Sequence, residues 1–332
     1  MFSQKFKVAL VLLLAAACAL TFLLLDTPPS KDWKGAKVVI PKGSSSSEAA
    51  RLLAAAKVLQ HPHIFRMLVL GTLTANQLKF GEYLFPEPPS AVEVWRKLVG
   101  GEVTRYSVTI PEGSNLYDIA EILGDLDLVD REKFLETAAS PDLLRRLGVP
   151  GTTVEGFLFP DTYLLEKSMS AEDILEVMIR QFRRMFLPEW ETRARETGLS
   201  LLQIVTVASI IEKETGVEEE KPLVSAVIRK RLSLGMPLQM DPTVIYGLKR
   251  FGEELTKKDL QTPSPYNSYR NRGLPPGPIA NPGVSALKAA LFPADAEYLY
   301  FVSRNDGSHR FSKTLQEHNQ GVASYRKEKT ED

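Results

Sequence analysis

"VVIPKGSSSSEAARLL" (residues 38–53) and "VTIPEGSNLYDIAEIL" (residues 108–123) match in residue type and spacing, and their reading decides the fold. Each predicts a short strand, a Pro-x-Gly-Ser turn and an amphipathic helix. The segments that follow also pair. "GEYLFP" (81–86) is similar to "GFLFP" (156–160), and "SAVEVWRKL" from Ser90 parallels "SAEDILEVMI" from Ser170, both helices that start at a serine. Two copies are therefore predicted, at 37–105 and 106–185. The period is too long and the copies too few for a solenoid, so a pair of small α+β modules fits better. Duplication of a scaffold frees one copy to acquire a site. Before the shared glycine the first copy has Phe80 and the second has Glu155, so "VEGFLFPDTY" (154–163) sets Glu155 and Asp161 around an aromatic segment.

A third region, 186–332, follows. Ser200 with Gln203 forms a capping box before a helix over 201–215. That helix is apolar nearly all round and so should be buried on most sides, with Gly216 as its terminator. "PLVSAVIRKRLSLG" (222–235) predicts a second helix with Pro at its start and Gly at its end. "DPTVIYGL" (241–248) opens another. The proline-rich "TPSPYNSYRNRGLPPGPIANPG" (262–283) has no regular pattern, and a loop of that length is usually functional. Its Tyr266, Tyr269, Asn267 and Arg270 suit carbohydrate: aromatic faces pack on sugar rings, while amides and guanidinium bond to hydroxyls. "YLYFVS" (298–303), a turn at Asn305-Asp306-Gly307 and "HRFS" (309–312) predict a hairpin.

Composition narrows the class. With 44% hydrophobic and 25% charged residues in 332, the chain suits a globular protein of two or three domains. Lys plus Arg equals Asp plus Glu, 41 each, so nothing favours nucleic acid. Cys18 is the single cysteine, which excludes an intrachain disulfide. His61, His63, His309 and His318 show no metal-ligand spacing, and no nucleotide or cofactor motif is present, so no metal and no cofactor are expected. "VALVLLLAAACALTFLLL" (8–25) carries no charge and is about long enough to span a bilayer. Lys5 and Lys7 before it place residues 1–7 in the cytoplasm and the remainder outside. A cleaved leader competes with this reading, but no small-x-small site follows; "AAAC" loosely resembles a lipoprotein site, yet would leave an oddly apolar mature end. The linker 26–36 is polar with two prolines.

The chemistry concentrates in "VASIIEKETG" (207–216). Apolar neighbours Val207, Ile210 and Ile211 should desolvate Glu214 at the end of its helix and raise its pKa, as should the negative end of the helix dipole. Such a glutamate stays protonated near neutral pH and can act as a general acid. Glu212 points about 200° around the helix from it, so the two cannot form a close dyad. One of them is then structural, and taken alone an ExE at a helix end is more often a solvated surface.

"VEGFLFPDTY", "ASIIEKET", "MPLQMDPTVIYGL", "SPYNSYRNRGLPPGPIANPG" and "LYFVSRNDGSHRFS" occur in this order. Together they resemble the MltG (YceG-like) family of endolytic murein transglycosylases, over the whole chain. The resemblance implies an α+β protein with a transmembrane helix, two LysM-like modules and a catalytic region, the second module contributing to the cleft. It implies a single-pass protein of the bacterial inner membrane, with its catalytic region periplasmic. It implies a lytic transglycosylase that cleaves the β-1,4 bond from N-acetylmuramic acid (MurNAc) to N-acetylglucosamine (GlcNAc) within nascent peptidoglycan strands. The product is a 1,6-anhydroMurNAc end, and the cleavage is expected to terminate strand elongation. Glu214 matches the family's catalytic glutamate. Asp241, Thr243, Tyr246, Tyr266, Asn267 and Arg270 are expected to line the groove by their places in the motifs, and Glu155 is expected to face the same site. Peptidoglycan synthases are the implied neighbours. A hydrolase needs two carboxylates, whereas here the sugar's own C6 hydroxyl displaces the leaving group and one suffices. The alternative from another class is a membrane-anchored glycan-binding scaffold without catalysis.

Overall fold

A computed structural model describes residues 33–328. The apolar run 8–25 and its basic flank lie outside the described residues. Among the described residues no single helix is long and apolar enough to cross a membrane. Helices mix with short antiparallel strands, and the chain divides into two compact units: residues up to Ser107 with Leu164–Met169, and Val108–Tyr163 with Ser170 onward.

In the first unit β1 (Ala36–Ile40) pairs antiparallel with β2 (Gly81–Phe85), Ala36 opposite Phe85 and Ile40 opposite Gly81. The period of two sends Val38 and Ile40 inward and Lys37 and Val39 outward. Between the strands run α1 (Ser46–Ala55), whose Ser45 hydroxyl accepts the Glu48 N–H at 3.2 Å, and α2 (Pro62–Gly71). After β2 comes α3 (Ala91–Gly100), opened by a reciprocal box of Ser90 and Glu93. Ile40, Leu53, Phe65, Tyr83, Val94 and Leu98 make the fully buried core of this unit.

The second copy begins alike. β3 (Tyr106–Thr109) leads through its Pro-x-Gly-Ser turn to α4 (Leu116–Asp125), boxed by Asn115 and Asp118. Two short helices follow, α5 (Arg131–Ala138) and α6 (Pro141–Arg146). There the copies part. "GEYLF" is β2, but "GFLFP" is a turn, and the strand that pairs with β3, β4 (Thr162–Leu165), comes later. The physical reason is Gly156. Its φ is +85°, and a Cβ there would meet the Pro278 ring at 2.5 Å and Val205 at 2.7 Å. Only glycine both adopts that backbone and admits so close an approach. The boundary between the two units falls inside both β3 and β4. α7 (Ala171–Met185) starts at a box of Ser170 and Asp173, and α8 (Pro188–Glu196) at its proline.

In the third region α9 (Leu201–Glu214) starts at the expected Ser200–Gln203 box. It packs against α8, α10 (Lys221–Ser233), α11 (Asp241–Leu248) and α12 (Val284–Leu291), which explains its apolar circumference. α10 ends as expected at a left-handed Gly235 (φ +64°), with Met236 N–H returning to Arg231 O at 2.9 Å. Gly216 does not end α9 that way. It is not left-handed; Thr215 instead turns extended (φ −145°, ψ 135°), and its hydroxyl donates to Glu220 Oε2 at 3.1 Å. The hairpin is β5 (Tyr300–Ser303) with β6 (His309–Ser312), Tyr300 opposite Ser312, and α13 (Leu315–Glu328) packs on it. The 262–283 loop contains no helix or strand. Side chains order it: Asn267 Nδ2 donates to Leu260 O and Thr262 O, and Ser209 Oγ on α9 accepts the Ile279 N–H at 3.1 Å.

Candidate active site

α9 delivers Glu214 as its last residue, and the chain turns extended at Thr215 just after it. The residue is only half-buried, yet its Oε1 is enclosed and has no hydrogen-bond partner among the described residues. An enclosed carboxyl oxygen without a donor favours the neutral acid. Burial, and after it the charge of Asp241, push Glu214 up to about 8. The carboxyl lies in the wall of a cavity of about 380 Å³.

Asp241, at the first turn of α11, lines the same cavity, and its Oδ1 accepts the Tyr269 hydroxyl at 2.6 Å. Burial and that bond raise the Tyr269 phenol, which stays protonated and donates. Across the cavity Arg231 of α10 is buried and spends its guanidinium on carbonyls: Nε on Leu299 O at 2.7 Å, Nη1 on Pro237 O and Leu238 O at 3.1 and 2.8 Å. The guanidinium also lies 5.1 Å over the Tyr300 ring, and His318 of α13 stacks on that ring at 5.2 Å. Burial first, then the Arg231 charge, push His318 below its usual value, so it is a neutral imidazole at neutral pH. Its Nδ1 is enclosed and unpartnered among the described residues. The cavity thus holds two carboxyls, one favouring the acid form, with aromatic walls, a neutral imidazole and the carbonyl-bound Arg231 guanidinium.

The expected groove residues divide into three sets. Asp241 shares the cavity with Glu214. Tyr246 and Tyr266 meet at 5.0 Å, tilted by 55°, in an aromatic cluster with Tyr117 and Phe251. That cluster borders a separate cavity of about 270 Å³, lined by Asn115, Lys213, Tyr246 and Phe251 among others. Thr243, Asn267 and Arg270 hold the scaffold. Thr243 Oγ1 bonds Met240 O and Ser268 Oγ and is fully buried, as is Asn267. Arg270 Nη1 donates to Gln261 O at 2.7 Å.

Glu155 stands behind the aromatic cluster, 1% exposed and outside the lining of either cavity. Its carboxyl accepts from Leu116 N–H at 3.0 Å, Tyr246 OH at 2.9 Å and Asn281 Nδ2 at 3.0 Å. Burial pushes it up to about 7, and the Leu116 and Tyr246 donors pull against that rise. Asp161, its companion in the motif, is exposed and bonded to Gln181 at 2.6 Å. Glu212 leaves α9 on another face. Its Oε2 accepts the Gly283 N–H at 2.8 Å, at the start of α12, and its Oε1 takes buried Lys221 Nζ at 3.1 Å. It anchors the end of the 262–283 loop.

Sequence reasoning missed Arg231, Tyr300 and His318. Arg231 sits in "IRKRLS", which reads as the charged side of an amphipathic helix. His318 belongs to no motif, and only the packing of α13 on the hairpin brings it to Tyr300.

The model of the YceG-like family matches residues 38–324. An endolytic murein transglycosylase of Bacillus subtilis (strain 168) is 32% identical over 321 residues, covering 92% of this chain and 89% of that protein. A protein of the same description from Streptococcus pneumoniae serotype 2 is 28% identical, over 87% of this chain and 58% of that longer protein. The crystal structure of a yceG-like protein from Listeria monocytogenes superposes with a TM-score of 0.61 at 32% identity, covering 86% of this chain and 98% of that one.

Proposed function

This chain belongs to the YceG-like family, and we propose that it is an endolytic lytic transglycosylase of peptidoglycan in which Glu214 carries the chemistry. The observation that supports this most is Glu214 on a cavity wall, its Oε1 enclosed and without a hydrogen-bond partner among the described residues, its carboxyl pushed up to about 8. A scaffold that only binds glycan has no use for such an acid. Relatives described as endolytic murein transglycosylases, one of them matched over most of its length, support the same reading.

The reaction needs one group that gives a proton and takes one back. Glu214 as the acid protonates the oxygen between MurNAc C1 and GlcNAc, the C1–O bond breaks, and the GlcNAc end leaves as an alcohol. Positive charge develops at C1, and the Asp241 carboxylate offers a negative potential beside it. The Glu214 carboxylate then accepts the proton of the MurNAc C6 hydroxyl as that oxygen closes on C1. The 1,6-anhydro ring forms, Glu214 is again protonated, and no water is consumed. A pKa near the working pH suits a group that must do both. Tyr269 orients Asp241, the Tyr246–Tyr266 cluster offers faces for sugar rings further along a strand, and Glu155 holds Tyr246 from behind.

In this reading residues 8–25 span the cytoplasmic membrane once, with Lys5 and Lys7 inside. The linker 26–36 and the copies at 37–105 and 106–185, as LysM-like modules, carry the catalytic region 186–332 on the outer side, among peptidoglycan synthases. The test is mass spectrometry of uncrosslinked glycan strands after incubation with the full chain. Internal cleavage with anhydro ends is the expected product. Reducing ends would mean a hydrolase, and intact strands that merely co-sediment with the protein would mean a scaffold.

A further inference from the structure

α2 buries one side only. Phe65 and Val69 enter the core of the first unit, while Met67 and Leu70 on the opposite side are 61% and 54% exposed. Positions three apart share a helix face, so the two form one apolar strip. The chain then turns at Leu73, which is 85% exposed and left-handed at φ +56°. Leu73 is the C′ residue of a Schellman end, with Thr74 N–H on Val69 O at 3.1 Å. Glycine usually holds that place, and a leucine there costs about 1 kcal/mol. A strained backbone thus carries a large apolar side chain into solvent, next to an apolar strip that nothing in the unit covers. Scattered exposed leucines need no explanation, but a contiguous group does.

The charge of this stretch of chain leans one way. Residues 49–81 contain no Asp or Glu and carry Lys57, Arg66 and Lys79, besides an Arg51 that is paired with Glu48 just before them at 2.5 Å. The position of the unit in the chain adds a third observation. The ten residues 26–35 separate the apolar run 8–25 from β1. Fully extended they reach about 35 Å at most, roughly the thickness of one bilayer core.

We propose that the outward face of α2 and Leu73 dock into the headgroup region of the anionic bilayer that the N-terminal run enters, holding the first module flat on the membrane. An apolar strip on a stretch of net positive charge is the composition that lies at such an interface, and each Lys or Arg near an anionic surface adds to the attraction. The inference rests on the anchoring reading above. Its effect is to fix the height of the first module above the bilayer.

The test uses the full chain in vesicles of phosphatidylcholine with or without phosphatidylglycerol. Leu73→Cys, on a Cys18→Ala background, carries an environment-sensitive fluorophore; Glu87→Cys, an exposed site of the same unit, is the reference. The expected result is a blue-shifted emission at 73, quenched by headgroup-level nitroxide lipids and enhanced by phosphatidylglycerol, while the probe at 87 stays in water. Adding Leu70→Glu should return the probe at 73 to water without changing flotation. Water-like, unquenched emission at 73 in a chain that floats with the vesicles overturns the proposal and leaves the anchor standing. A disulfide-linked dimer through Leu73→Cys also overturns it, since a second copy would then cover the face. A chain that does not float overturns the anchor, and this inference with it.

Discussion

Glu212 and Glu214 are two residues apart, and the helix gives them opposite work. Glu212 finds an N–H and a buried ammonium, whereas Glu214 Oε1 finds no partner among the described residues. Glu212→Gln leaves Lys221, 2% exposed, with only the solvent-facing Glu218 as a charged partner. Breaking a buried pair costs about 3–5 kcal/mol, so urea unfolding should show a loss of that order while the folded fraction keeps its turnover. For Glu214 the sign of the pH effect follows from its raised pKa. The proton-donating form is populated below about 8, so kcat/KM should fall as pH rises through that value. Asp241 contributes to the rise. Asp241→Asn should therefore move the alkaline limb to lower pH, and a limb that stays in place would remove Asp241 from the electrostatics of the acid. The same raised values act on stability. Glu155 and Glu214, at about 7 and 8 against an ordinary 4.5, hold protons that the unfolded chain releases. Their contribution is complete below about 4.5 and is lost as pH rises through 7 to 8. The ExE pattern and the desolvating neighbours were legible in the sequence; the partner of each carboxyl was not, because Gly283 and Lys221 reach Glu212 through tertiary packing.

At the scale of elements, the local rules were readable wherever a cap or turn announces itself. Ser90, Ser170 and Ser200 start α3, α7 and α9, Gly235 ends α10, and the Asp306-Gly307 turn joins β5 to β6. They failed where a distant contact decides. "GFLFP" has the composition of β2, but Gly156 is pinned beneath Pro278 and Val205, and the strand forms later. Gly156→Ala forces a Cβ into that contact at a left-handed φ. It should lower the melting temperature markedly and leave little soluble protein, whereas Gly71, exposed, not left-handed and with open space around it, should tolerate alanine far better. Glu155 joins three elements that no sequence spacing relates: the start of α4, Tyr246 of α11 and Asn281 of the long loop. Above about pH 7, where the carboxyl is ionised, Glu155→Gln turns one acceptor into a donor facing donors, which costs about 1–3 kcal/mol. Calorimetry should record that loss, and a turnover defect should appear as misplacement of Tyr246. Unchanged stability with lost turnover would give Glu155 a direct part in the chemistry instead.

For the whole molecule, the α+β class was legible from the repeat, since strand-turn-helix copies leave few alternatives. The cavity was not. It gathers side chains from α9, α10, α11, the 262–283 loop, the hairpin and α13, so its walls come from the length of the third region. The topology reading makes its own prediction at this scale. In the proposed topology, with the basic residues ahead of the apolar run on the inner side, alkaline phosphatase fused after Glu48 should be active in a bacterium. An inactive fusion, or a soluble product shortened near Cys18, would contradict a single uncleaved span.

In the proposed mechanism one carboxyl performs both proton transfers. Glu214→Gln keeps the size of the side chain, so circular dichroism and melting should remain close to wild type and glycan should still bind. What it lacks is the proton to give and the base to take one back, a loss typically worth about 10²–10⁴-fold, or roughly 3–5 kcal/mol of barrier. The measurement is the rate at which anhydro-ended fragments leave uncrosslinked glycan strands. The account predicts a folded, binding protein with that rate lost; a folded Glu214→Gln that cleaves within about threefold of wild type, far short of what a missing acid–base group costs, would contradict it.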